Sequence, residues 1–217
     1  MKFFALLILT LFFFDQLKAD ENNVAYIWNT NSFSYKLNDK NTLSFNEKVH
    51  FKLDQKAINF YYIDFNLSHT LTRHCSTALA YRRLLSKQTT NWSVENRFMS
   101  YLNLHWKLNF IDLQLSNRLS YQQYPQGKDN FRYYNKFTTS FPIQVFSSTI
   151  YPYLTEEVFV KLNKENFHLT RTYVGIRFRE SKQMALDFFF AENFQKQVNL
   201  DWANYGILGF NLAFHLN

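Results

Sequence analysis

The sequence predicts an all-β protein: a closed antiparallel up-and-down transmembrane β-barrel of about 10–12 strands. Three observations carry that expectation. Apolar and polar residues alternate along most of the chain, and many alternating runs are 11–14 residues long. Past the N-terminal leader, no apolar run approaches the roughly 20 residues a membrane helix needs. Strands in globular proteins are usually about 5–6 residues, whereas a tilted membrane strand takes about 9–11.

The first element is the leader. Lys2 precedes an apolar run from Phe3 to Phe14 broken only by Thr10, and Ala19 offers a small residue before Asp20. This is the grammar of a secretory signal peptide, because the run is too short to cross a bilayer comfortably as a helix. Residues 1–19 are therefore read as the signal peptide and 20–217 as a single outer-membrane β-barrel domain. The remaining 198 residues carry +6, since Lys2 and Lys18 leave with Asp15 from a total of +7. The positive residues are dispersed rather than blocked, which argues against nucleic acid and fits anionic lipid or acidic glycolipid.

Eleven candidate strands follow, at 24–37, 41–53, 58–68, 76–85, 91–105, 109–122, 130–141, 149–161, 167–179, 184–195 and 204–216. A strand sends successive side chains to opposite faces, so each run has an apolar and a polar parity. In 41–53, Leu43, Phe45, Val49 and Phe51 oppose Ser44, Asn46, Lys48 and His50. In 109–122, Ile111, Leu113, Leu115, Leu119 and Tyr121 oppose Asp112, Gln114, Ser116, Arg118 and Ser120. The last run sets Leu208, Phe210, Leu212 and Phe214 against Gly209, Asn211, Ala213 and His215. Polar breaks rich in Asn, Asp, Ser and Lys separate the runs and read as hairpin turns. An even strand number is the rule for bacterial single-chain barrels, so ten or twelve is expected. The weakest candidate is 76–85, and 142–149 has room for a short extra strand.

Aromatic residues gather near the ends of the runs: Tyr26 and Trp28, Trp92, Tyr101 and Trp106, Tyr121 and Tyr124, Tyr151 and Tyr153, Trp202 and Tyr205. Rings of this kind suit a membrane–water interface. The polar parity is ionic as well as hydrophilic, with Glu95, Arg97, Arg118, Arg132, Glu157, Arg171 and Arg177 spread over several strands. Closing the barrel brings these residues to the lumen. There they form either a salt-bridge network that fills it or a charged constriction that selects an anionic solute.

Chemistry is sparsely signalled. Cys75 is the only cysteine, which excludes an internal disulfide and any multi-cysteine metal site. The histidines are His50, His69, His74, His105, His168 and His215, and Ser68-His69 is the least implausible hydrolytic pair. No nucleophile elbow, HExxH, glycine-rich phosphate loop or paired-carboxylate spacing is present, so no cofactor and no metal are expected.

Several motifs resemble one family in their order and spacing. They are "WSVENRF" with Glu95-x-Arg97, "LQLSNRLSYQQY" with Arg118, "FRYYNKF" with Arg132-Tyr133, "YPYLTEEVFVKL" with Glu157, and "FHLTRTYVGIRF" with Arg171, Tyr173 and Gly175. Together they make the chain similar to DUF2490, from about Trp28 to the C-terminus. The resemblance implies a bacterial outer-membrane β-barrel and no particular reaction. Outer-membrane barrels commonly end in an alternating strand finishing in Phe, and "GFNLAFHLN" keeps the alternation but ends in Leu216-Asn217.

The leading expectation is an outer-membrane barrel with an Arg/Glu-lined interior, structural or a narrow solute passage. Its expected partners are membrane lipid, lipopolysaccharide included, and the outer-membrane insertion machinery, with no nucleic acid. One alternative is a hydrolase acting on lipid or lipopolysaccharide at the outer rim. Another is a soluble lipocalin-like binding barrel, in which the apolar parity would line the cavity.

Overall fold

The computed structural model describes residues 24–88, 91–125, 127, 129–145, 148–162, 166–179, 181, 183–196 and 202–216. The predicted signal peptide lies outside them. Among the described residues, twelve strands form in chain order. The first six are β1 (Val24–Lys36), β2 (Asn41–Lys52), β3 (Ala57–Thr72), β4 (Cys75–Gln88), β5 (Asn91–Leu108) and β6 (Ile111–Gln123). The others are β7 (Asn130–Ser140), β8 (Ile143–Val145), β9 (Ser148–Lys161), β10 (Asn166–Arg179), β11 (Met184–Lys196) and β12 (Trp202–Leu216).

Turn chemistry explains where the strands stop. Asn38 Oδ1 accepts hydrogen bonds from the amides of Lys40 (3.0 Å) and Asn41 (2.9 Å), folding the chain back between β1 and β2. Ser181 Oγ does the same for the amides of Gln183 (3.1 Å) and Met184 (3.0 Å) before β11. Asn109, at φ 26°, and Lys56, at φ 47°, carry the left-handed positions of the β5–β6 and β2–β3 turns.

Eleven of the strands close into a ring, β1 to β7 in order, then β9, β10, β11 and β12 back to β1; β10 pairs with β9 as well as β11. They match the eleven runs read from the sequence, the weak 76–85 among them. The even count is not kept. An up-and-down ring with an odd number of strands cannot alternate direction all the way round, and the mismatch falls at one seam. There β1 and β12 run parallel, with Ile27 opposite Leu208 and Phe33 opposite Phe214. The remaining ring pairs are antiparallel. The short strand at 142–149 is β8, which pairs only with β9 and adds nothing to the ring.

The two parities take opposite faces of the barrel wall. Leu79 (69% exposed), Phe65 (50%) and Phe188 (50%) represent an outward face of Phe and Leu. Buried Asp64, Arg82, Glu95, Arg97, Arg118, Glu157 and Asp187 face inward. This is the reverse of a lipocalin-like barrel, whose apolar parity would point in. Part of the interior is nonetheless apolar: Trp28, Tyr153, Tyr173, Phe189, Ala191 and Ile207 pack together against the wall formed by β9 to β1. Two glycines make room for this cluster. A Cβ on Gly209 would lie 2.0 Å from the Phe189 ring, and one on Gly175 would lie 2.5 Å from the Tyr153 ring.

Candidate functional site

The barrel encloses a cavity of ≈ 880 Å³ lined mostly by polar and aromatic side chains. Ten cationic residues line it, Lys48, Arg82, Lys87, Arg97, Arg118, Arg132, Lys136, Arg171, Arg177 and Arg179, against two carboxylates, Glu157 and Asp187. Asp64 and Glu95, buried inside the barrel, and Asp112, on the inward parity of β6, raise the carboxylates to five. The interior therefore keeps an excess of positive charge.

Strand register builds the ion pairs. Glu95 and Arg97 are two apart on β5, so both face inward, and Arg97 donates to Glu95 Oε1 through Nε at 2.6 Å. Gln122 stands opposite Arg97 on β6 and donates to the same oxygen at 2.6 Å. Asp64 on β3 lies directly opposite Arg82 on β4, with a 2.5 Å contact, and Asn46 donates to the other Asp64 oxygen at 2.6 Å. Glu157 is a hub between β7 and β10. It faces Lys136 on one side and Arg171 on the other, and accepts from Tyr134 OH at 2.8 Å, Tyr173 OH at 2.9 Å and Arg171 at 3.1 Å. Arg177 reaches Asp187 at 3.5 Å, and Tyr153 OH donates to Asp187 at 2.8 Å.

Five of the ten lining cations, Lys48, Lys87, Arg118, Arg132 and Arg179, have no carboxylate in ion-pair contact among the described residues. Lys48 lies 3.9 Å above the Trp28 ring, which stacks on His50 at 4.0 Å. His50 in turn stacks on Phe60 at 4.2 Å. The charged neighbours of Lys48 are Arg171, Arg82, Lys136 and Glu157. Arg118 and Arg132 rest against Tyr134 and Phe159 at 4.0 and 6.0 Å.

All seven residues singled out from the sequence, Glu95, Arg97, Arg118, Arg132, Glu157, Arg171 and Arg177, face the barrel interior. Glu95 with Arg97, and Glu157 with Arg171, are in contact; Arg118 and Arg132 have no such partner, and Arg177 pairs instead with Asp187. Asp64, Arg82, Lys136 and Asp187 were missed as ionic partners. Their polar parity was the available signal, but only the cross-strand register pairs them. Ser68 and His69 are not brought together: Ser68 donates to the Thr42 carbonyl at 3.3 Å, and His69 Nδ1 lies 2.8 Å from Asn41 Oδ1. Among the described residues, a Ser–His contact forms between Ser34 Oγ and His215 Nδ1, 2.7 Å apart across the parallel seam.

The outward face carries a feature that the sequence reading did not single out. Its apolar parity is interrupted by Asn31, Glu47, Arg83, Asn96, Asn117, Asn135, Glu156 and Glu192. Register links Asn31 to Glu47, Arg83 to Asn96, Asn117 to Asn135, and Glu156 through Thr172 to Glu192. These groups bond to one another: Tyr133 OH donates to Asn117 at 2.6 Å, Asn135 donates to it at 2.9 Å, and Thr172 donates to Glu156 at 2.6 Å. Between this belt and the rim carrying the β1–β2, β3–β4 and β5–β6 turns, the outward face is rich in residues such as Phe45, Leu67, Leu115, Ile176 and Phe188.

The class is thus a closed eleven-stranded β-barrel, apolar outside and cationic within. Residues 25–204 match the family described as Protein of unknown function (DUF2490), and the chain belongs to that family. No curated protein matches the chain.

Proposed function

We propose that the protein is an outer-membrane β-barrel whose cationic interior offers a narrow passage to anionic solutes. The observation that carries this reading is the inverted polarity. A ring of outward Phe and Leu has no counterpart in a water-soluble barrel, whereas lipid covers such a surface without cost. The outward belt of Asn, Glu and Thr supplies the polar groups expected where hydrocarbon gives way to headgroups. Inside, positive charge in excess of carboxylate lowers the energy of an anion and raises that of a cation.

Planar-bilayer recording on the purified, refolded chain tests the passage. Single steps whose reversal potential in a KCl gradient lies on the chloride side are expected. A membrane that stays silent, or a potassium preference, defeats the proposal.

A further inference from the structure

Two adjacent lumen arginines have no carboxylate in ion-pair contact among the described residues. Arg118 on β6 stands opposite Tyr134, and Arg132 on β7 stands opposite Ser120, one inward-facing step away. Diagonal neighbours of this kind lie about 7–8 Å apart, within reach of two long side chains directed at one point. Arg118 is only 7% exposed. The Nε atoms of both arginines are buried and have no hydrogen-bond partner. Their flanking rings hold the guanidinium planes but supply no acceptor. Glu95, the carboxylate whose charge reaches Arg132, is already engaged by Arg97 and Gln122. Arg97 itself adds a third guanidinium to the neighbourhood.

We propose that Arg118 and Arg132 form a discrete binding site for the oxyanion group, phosphate or carboxylate, of a small anionic solute in the lumen. Guanidinium forks match such groups with paired hydrogen bonds, and like charges confined together without a counter-ion are costly. A bridging oxyanion would bond through the terminal Nη groups of the two side chains, which line the cavity. The ≈ 880 Å³ cavity falls in the size range of pockets that hold a whole small molecule. The site deepens the passage reading, and it requires only that the lumen be reachable by solute.

The test uses the full chain, refolded in detergent, with pyrophosphate and inorganic phosphate titrated calorimetrically and acetate as a monovalent comparison. Saturable one-to-one binding of pyrophosphate is expected, with phosphate and acetate weaker. The deciding variants are R118K and R132K, which keep the charge but lose the fork. Each should weaken pyrophosphate by about tenfold, the scale of one charge-assisted hydrogen bond. Heat-modifiable gel migration checks that each variant is folded. Wild-type affinity in both lysine variants would mean a diffuse field and overturn the site, as would the lack of saturable binding. Conductance separates the two proposals. Anion-selective steps without saturable binding would sink the site alone, and binding that R118K weakens in a silent membrane would sink the passage alone.

Discussion

Glu95 Oε1 accepts hydrogen bonds from both Arg97 and Gln122, so removing one carboxylate strips two buried donors of their acceptor. Glu95→Ala should destabilise the barrel by about 3–5 kcal/mol, the cost of leaving a buried charge uncompensated. Urea unfolding in lipid vesicles would measure it; a loss below about 1 kcal/mol would mean that lumen water solvates Arg97. Gly209 allows a sharper test, because the Phe189 ring occupies the place of its missing Cβ. Gly209→Ala should cost about 1–3 kcal/mol by overpacking, and Phe189→Leu should cancel much of that cost in the double variant. Additive losses in that cycle would contradict the ring contact. At this scale the sequence was partly legible. Glu95 and Arg97 declare themselves by their spacing of two, whereas Asp64 and Arg82 are 18 residues apart and meet only through the β3–β4 register.

At the level of strands, polar breaks located most boundaries, since turn residues satisfy their own backbone through side chains. The predicted 130–141 became Asn130–Ser140, and 24–37 became Val24–Lys36. Where the chain stays extended through polar residues the reading stopped early: 58–68 runs on to Thr72, and 76–85 to Gln88, because cross-strand pairing sustains them. The outward belt was hidden for a related reason. Glu156 and Glu192 sit singly within apolar runs, and only adjacency across strands makes them a feature. If the belt marks the edge of the lipid-facing band, cysteines placed on β11 after Cys75→Ser should differ. Glu192→Cys should react with a water-borne maleimide in vesicles several times faster than Phe188→Cys. Equal rates would put the edge elsewhere.

For the whole molecule, the fold class was legible because alternation over long runs dictates which face each residue takes, and closing the ring follows from having no edge to expose. The odd strand number was legible as eleven alternating runs, and only the even-number rule for bacterial barrels argued against it; the parallel seam that accommodates it leaves no mark in a period-two pattern. An integral barrel should stay with membranes through carbonate and high-salt washing; release into the wash would remove the membrane reading. The parallel seam has a further consequence, concerning sidedness. Because β1 and β12 point the same way, the chain enters the ring at Val24 on one rim and leaves it at Leu216 on the other. In a bilayer, an epitope placed before Val24 and another placed after Leu216 would report from opposite compartments. Protease added to intact cells should then remove one epitope and spare the other, so that the molecule reports its own orientation.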